Sequence, residues 1–349
     1  MNVLTTVISA ILVFGLLIFI HEFGHYIFAR IFKVKINEFS LGMGPRLLWF
    51  VSKKTGIKYS LSMLPIGGFV AMAGEMDEDP DPNSFDKKPA WQRFIITIAG
   101  ASVNILAGFL AMLILTSTMN VYGTTVTGFA DKDKTGYEIS SSESGLMRGD
   151  TIIAVDGKAV SIYDELSYEI MRRGHEPVDL TVIRDGNEEV LYDVVFPTAT
   201  ESGQIFGIAD FGVSPIEKGF FKTCALAAEK SVLIVRTCWE SLYDLITGRY
   251  TFAAVSGPVG ISSAIGEAAR DGLQSLLYVT ALISINLGVM NLLPIPALDG
   301  GRTVTLLFEM ITRRRIPVKI EGIINGVGLM LLLLLTFIVM GKDIFQLIK

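Results

Sequence analysis

Residues 3–25 read VLTTVISAILVFGLLIFIHEFGH, an uncharged run from Val3 to Ile20 that passes without a break into His21-Glu22-Phe23-Gly24-His25. As a helix, the apolar part reaches ~27 Å, enough to cross the hydrocarbon core of a bilayer. On the same helix, positions i and i+4 share a face, so the His21 and His25 imidazoles can reach one metal ion. Glu22 lies about 100° round the helix from His21, where it can address a water beside that ion. The bland alternative is a polar cap that snorkels to the membrane surface. Ionisable groups inside a membrane cost ~3 kcal/mol each unless they are partnered, and three within five residues favour the metal reading.

Working outward, three more runs lack charge: Phe94–Met119, Leu273–Leu293 and Gly322–Gly341. Four spans is the economical count. The chain has 349 residues, 50% of them hydrophobic and 19% charged. Soluble domains carry about 25% charged residues, so this composition excludes an ordinary soluble protein. A net charge of −5 gives no basic footprint for nucleic acid. Two cysteines, Cys224 and Cys238, cannot build a disulfide scaffold and read as small apolar residues. The opening MNVLTT lacks the basic start of a signal peptide, so the first span reads as retained.

Lysine and arginine set the topology. Ten lie in residues 30–93, and Arg302, Arg313, Arg314, Arg315 and Lys319 lie between the third and fourth runs. The positive-inside rule makes both links cytoplasmic. Residues 120–271 hold 13 basic and 23 acidic side chains, which suits the outer side. Both termini are then extracytoplasmic, and the first and third spans run parallel, with their C-terminal ends at one depth.

That depth argument singles out a third ligand. The third span runs into Asn291-Leu-Leu-Pro-Ile-Pro-Ala-Leu-Asp299-Gly-Gly301, and Asp299 is the acidic residue near that end. Two prolines break the helix, which is tolerated at membrane depth where the backbone is buried or lines a cavity. A loop turning Asp299 toward the histidines fits; the plainer possibility is a carboxylate capping a helix that starts at Gly300. Two histidines and a carboxylate are a catalytic zinc set, with Glu22 as general base.

Residues 120–217 change character to short alternating segments with turns. Thr151–Val155 reads as a strand before the Asp156-Gly157 turn, Tyr163–Arg172 has helical spacing, and Val178–Arg184 and Glu189–Phe196 flank Asp185-Gly186 like a hairpin. Composition alone says a small α+β domain. The string SGLMRGDTIIAVDGKAV at 144–160 resembles the bacterial PDZ signature. A PDZ fold offers an open sheet edge where a peptide C-terminus can add as a strand; a spacer or plug is the plainer role. Residues 218–250 form one apolar helical stripe interrupted by charge, suited to a membrane surface or to the neighbouring domain. His175 lies in a polar stretch and reads as a solvated turn residue.

Taken together these residues resemble the intramembrane site-2 metalloproteases, specifically the bacterial RseP/RasP type. Phe39-Ser-Leu-Gly-Met-Gly-Pro45 and Gly67-Gly-Phe-Val70 resemble that family's cytoplasmic-side β-loops. Gly100-Ala-Ser-Val-Asn104 resembles its G-P-x-x-N motif with Ala101 in place of proline, and Ser256-Gly-Pro-Val-Gly-Ile261 precedes the third span as in relatives. The resemblance implies Zn2+ on His21, His25 and Asp299, Glu22 as base, and hydrolysis of peptide bonds in single-span membrane proteins of a bacterial cell membrane. It also implies an active site toward the cytoplasmic side. Asn104 and Asn291 would position substrate, although buried asparagines often only bond across helices. Within Gly56–Gly74 the alternation of Ile57, Tyr59, Leu61 and Met63 suggests an edge strand holding an unwound substrate, with Leu61 and Met63 as contacts.

The expected fold is thus a polytopic α-helical membrane protein with four transmembrane helices, an inserted α+β PDZ-like domain and a membrane-associated β-loop. The parts are 1–32 with HExxH, the loop 33–93, span 94–119, the domain 120–217, an amphipathic region 218–271, span 272–301 with NxxPxPxLDG, the link 302–321 and span 322–343. Two other classes compete. A PDZ-bearing membrane adaptor with weak catalysis would have no use for a general base. A zinc transporter would need ligands along a path across the bilayer rather than at one depth.

Overall fold

The computed structural model of the chain describes residues 3–75, 78–129, 141–201, 204–249 and 255–348. Parts of the expected β-loop (76–77), inserted domain (130–140 and 202–203) and amphipathic region (250–254) lie outside the described residues. Two compact units emerge: Met1–Met112 with Ile234–Leu242 and Val255–Lys349, and Leu113–Leu233 with Tyr243–Ala254.

Among the described residues four helices are long and apolar enough to cross a membrane: α1 (Val3–Ile31), α2 (Ala90–Thr118), α6 (Leu273–Asn291) and α8 (Val318–Ile348). They match the four apolar runs of the sequence. Much of their aliphatic surface is uncovered, as at Leu12, Leu110 and Met330, where lipid rather than protein is the natural solvent. The polar motif does not end α1; the helix carries on through it to Ile31. The third span does stop at Asn291. Pro294 and Pro296 cannot donate to a continuing helical ladder. A new helix, α7, opens at Asp299 and runs to Thr312. Asp299 is therefore its first residue and no capping side chain; Leu298 holds the N-cap position without a side-chain bond. Ahead of α6, the Ser256–Ile261 string opens another helix, α5 (Pro258–Asp271), with Pro258 in its first turn. Ile265 of α5 packs with Ala10, Val13 and Leu17 of α1 in a buried cluster.

Between α1 and α2 lie two long antiparallel strands, β1 (Ile36–Val51) and β2 (Lys58–Met72). Their register doubles back. Glu38–Leu41 pairs with Gly68–Ala71 and also with Lys58–Leu61, while Arg46–Val51 pairs with Lys58–Ser62. The lateral order is 46–51, 58–62, 38–41, 68–72, so Lys58–Ser62 is interior and Gly68–Met72 is an edge. The fold-back occurs at Gly42, Gly44 and Gly67, each with φ near +80°, where a side chain would be strained. Leu47, Leu48, Trp49, Phe50 and Val51 are all exposed, so neither face of that outer segment is hidden in a protein core.

The second unit is an inserted α+β domain. Its strands β3 (Tyr122–Phe129), β4 (Thr151–Val155), β5 (Lys158–Ala159), β6 (Val178–Arg184), β7 (Asn187–Val194), β8 (Thr198–Glu201), β9 (Gln204–Gly207) and β10 (Phe211–Pro215) pack with the helix α3 (Tyr163–Arg173). The main sheet runs β10-β3-β4-β6-β7 with β5 beside β4, and β8 and β9 pair separately. Ile152, Val155, Leu180, Val182 and Val194 from the sheet bury Leu166 and Ile170 of α3. Asp156-Gly157 and Asp185-Gly186 turn the hairpins with positive φ at both positions, as Asp-Gly turns require. The charged-and-apolar stripe after this domain becomes α4 (Phe220–Ile246), whose Leu226 packs on Val121 and Ile162.

Candidate metal centre

His21 and His25 enter the site from one face of α1, with Glu22 about 100° round the helix. Two glycines make this possible. A Cβ on Gly24 would lie 2.6 Å from Ala99 O, so α1 and α2 touch backbone to backbone there. A Cβ on Gly100 would lie 2.4 Å from His25 Nε2 and 2.8 Å from His21 Cε1, in the space the imidazoles occupy. The Gly-Ala-Ser-Val-Asn string of α2 thus acts as a cradle. Ala101 is buried, and its carbonyl lies 2.7 Å from where a Gly288 Cβ would sit, which brings α6 against the other side of α2.

Hydrogen bonding sets the protonation of the rings. His25 Nδ1 lies 2.8 Å from Ile96 O. A carbonyl can only accept, so Nδ1 carries the proton, and the neutral ring, the form that binds a metal, presents its Nε2 lone pair. Asn104 Nδ2 lies 3.4 Å from His21 Nδ1, and the buried Asn104 Oδ1 has no partner. The two ends of an amide are interchangeable by assignment. With the amide turned over, Oδ1 accepts the His21 Nδ1 proton and the ring again presents Nε2 as a lone pair. Ser284 of α6 donates to Asn104 O at 2.8 Å and ties this helix turn in place.

Three electron-rich atoms then converge. His21 Nε2 and His25 Nε2 are 3.3 Å apart, and Asp299 Oδ2 lies 3.1 and 3.3 Å from them. The Asp299 oxygen is buried and has no hydrogen-bond donor. Lone pairs at this spacing repel unless a cation lies among them. Donors 2.0–2.1 Å from a tetrahedral ion stand about 3.3 Å apart, so the trio matches the edge lengths a zinc site needs. Among the described residues this is the group of histidine, cysteine and carboxylate side chains that meets at metal-binding distance.

A cavity of about 350 Å³ opens on the trio. Glu22 lines it, and so does the strand edge Gly68–Met72. A Cβ on Gly68 would lie 3.1 Å from Glu22 Cγ and 3.0 Å from Ile18 and Ser40 O, so glycine there leaves the glutamate its room. The residues the alternation pointed to are elsewhere. Leu61 belongs to the interior segment, beside an apolar groove with Trp49 and Phe50, and the structure brings neither Leu61 nor Met63 to this cavity. Period-2 alternation marks a strand, but the fold-back at Gly67 decides which segment becomes the edge. Asn104 reaches His21 rather than the open cavity, and Asn291, half-buried at the end of α6, is not among the cavity-lining residues.

Sequence reasoning missed one pair at the cavity wall. Arg302, one turn beyond Asp299, donates to Glu75 Oε1 at 2.7 Å and Glu75 O at 3.0 Å, and stacks 4.6 Å from the Phe85 ring. It joins α7 to the end of β2. Its i+3 spacing from Asp299 was the available signal; its partner, 227 positions away, was not readable.

A helical membrane unit with two imidazoles, a carboxylate and a neighbouring glutamate around one cavity defines a membrane protein with a hydrolase-type metal centre. Comparison with known proteins agrees. The model of peptidase family M50 matches residues 9–335. A protein of Clostridium perfringens named as a zinc metalloprotease is 36% identical over 349 residues, covering 97% of this chain and 98% of its own. The zinc metalloprotease RasP of Geobacillus kaustophilus is 29% identical over 418 residues, with 98% of each chain covered. The regulator of sigma-W protease RasP of Bacillus subtilis is 27% identical over 426 residues, covering 98% of this chain and 99% of its own. The chain belongs to peptidase family M50 and is a metalloprotease of the site-2 type.

Proposed function

We propose that this protein is a zinc-dependent intramembrane protease that cuts the spanning segment of single-span membrane proteins already trimmed on their outer side. Such substrates include anti-sigma factors and signal-peptide remnants, and the names of the RasP relatives support that class. The observation that carries the reading is the convergence of His21 Nε2, His25 Nε2 and Asp299 Oδ2 beside Glu22 and a strand edge, in one cavity. His21, His25 and Asp299 would hold zinc, which would supply Lewis acidity for peptide hydrolysis. Glu22, lining the same cavity, is placed to take a proton from the attacking water and return it to the departing amine. His25 keeps its orientation through Ile96 O, and His21 through Asn104, a second layer that fixes ring tautomers.

A helical substrate hides its peptide bonds within its own hydrogen bonds, so it must open before attack. Among the described residues Gly68–Met72 pairs on one side, with Ile36–Leu41, and its other side can receive an opened segment as an added strand. Asn291, at the last turn of α6, is assigned to substrate positioning. The exposed apolar segment Leu47–Val51 favours a sheet resting in lipid on the cytoplasmic side, with both termini on the outer side of a bacterial cell membrane. The inserted domain is of the PDZ type and screens or senses the new C-terminus left by the first cut.

The test is co-expression with a tagged single-span substrate, wild type against Glu22→Gln, with zinc content measured in both. Cleavage lost and zinc kept is the expected result. Equal processing by the two proteins would overturn the reading.

A further inference from the structure

The helix α8 has little protein around it, yet its contacts are not scattered. Glu321, Asn325, Gly328, Val339 and Asp343 fall within about 60° of one another round the helix, at 100° per residue. Along this stripe Glu321 Oε1 accepts from Thr305 Oγ1 of α7 at 3.3 Å. Asp343, at the far end, accepts the Gly257 and Gly260 N–H groups at the start of α5, at 2.9 and 3.0 Å. Between these anchors the stripe crosses the loop that delivers Asp299.

That loop is under conformational tension. Ala297, two residues before Asp299, has φ +74°, in the left-handed region that residues other than glycine rarely adopt. Its N–H is taken by a side chain: Asn325 Oδ1 accepts it at 3.2 Å. The helix comes this close because Gly328 faces Pro296. A Cβ there would lie 2.5 Å from Pro296 Cβ and 2.6 Å from Pro296 O. Downstream, a Cβ on Gly300 would strike Leu293 O at 2.0 Å, so the turn has no room to relax past Asp299.

We propose that Asn325 of α8 is a positioning residue for the metal centre: by holding the Ala297 N–H it maintains the left-handed turn that presents Asp299 to His21 and His25. This rests on the metal reading of the trio. Groups that orient metal ligands from behind tune affinity through the ligand rather than by touching the ion. Asn325 does so through backbone conformation, from a helix that is otherwise a membrane anchor.

The test measures zinc dissociation by chelator competition on the full-length protein in detergent, for wild type, His25→Ala, Asn325→Leu and Asn325→Leu with Ala297→Gly. Asn325→Leu keeps the side chain's bulk and loses its acceptor, and is expected to bind zinc about 10–100-fold more weakly, as for other supporting groups behind metal ligands. Glycine takes positive φ without support, so Ala297→Gly should recover most of that loss. A general packing defect in α8 would not be rescued by a glycine in the loop. Wild-type affinity in Asn325→Leu, or a loss that Ala297→Gly leaves in place, overturns the inference alone. Wild type no tighter than His25→Ala overturns the metal reading and this inference with it.

Discussion

Two carboxylates with buried oxygens, one in each unit, contrast a saturated site with an unsaturated one. Asp150 of the inserted domain accepts from Arg184 Nε at 2.8 Å, Arg184 Nη2 at 2.7 Å and the Met147 N–H at 2.8 Å. Asp299 of the membrane unit has two imidazole nitrogens within 3.3 Å of its Oδ2 and no donor for that oxygen. The first is saturated, and its chemistry is spent on holding the turn Ser144–Asp150 against β6. The second is gathered with two imidazole nitrogens, the donor set a metal cation takes. Asp150 is the more buried of the two, so burial does not mark the candidate metal site. Convergence of unsatisfied acceptors does.

The contrast can be broken at several points. The largest effect belongs to Glu22→Gln. Removing a general base costs roughly 10²–10⁴ in turnover, and bound zinc should remain at wild-type level, measured by substrate cleavage and metal analysis on one sample. Asp299→Asn comes next. Loss of a direct ligand should weaken zinc by more than about 100-fold, beyond what supporting groups cost, while strands in the inserted domain keep their hydrogen-exchange protection.

Asp150→Ala should do the reverse. Removing the acceptor of three bonds, two of them charge-assisted, should cost the inserted domain about 2–3 kcal/mol, seen as faster exchange in β4 and β6 with zinc affinity unchanged. A fall in zinc affinity here would erase the distinction between the two carboxylates. The same residue predicts a pH response. Burial opposes ionisation of Asp150, but the Arg184 guanidinium and the Met147 N–H outweigh it and hold its carboxyl below the ordinary carboxylate range. A folded pKa below the unfolded one adds stability that is present above the unfolded value, about 4, and disappears as pH falls through the folded value. Exchange protection in β4 and β6 should therefore decline below about pH 4, and Asp150→Asn should flatten that decline. The smallest effect is Met63→Ala. This exposed residue is away from the cavity, and cleavage should change by about twofold or less, the usual scale for surface positions.

The readable parts were those whose physics is local. A run of apolar residues identifies a spanning helix because lipid tolerates no unpaired backbone, and four runs became four helices. The i, i+4 histidines followed from helical pitch, and Asp299 from the parallel sense of the first and third spans. Thr151–Val155 and the helix at Tyr163 were legible because the Asp-Gly turns and the apolar periods agree. The unreadable parts depend on pairing across long separations. Leu61 and Met63 carried the alternation, but Gly68–Met72 became the edge on the cavity, because the sheet folds over at Gly42, Gly44 and Gly67. The Arg302–Glu75 and Ala297–Asn325 contacts join segments with no common pattern.

By itself the sequence determined which segments are apolar enough to span a membrane and that His21 and His25 share a helix face, because transfer free energy and helical pitch act over a few turns of one chain. Tertiary structure alone decided which way each imidazole nitrogen points, which strand edge borders Glu22 and which helix contacts the Asp299 loop. Those choices are made by close packing at Gly24, Gly100 and Gly328, where a missing side chain lets two backbones approach, and no local preference encodes the partner.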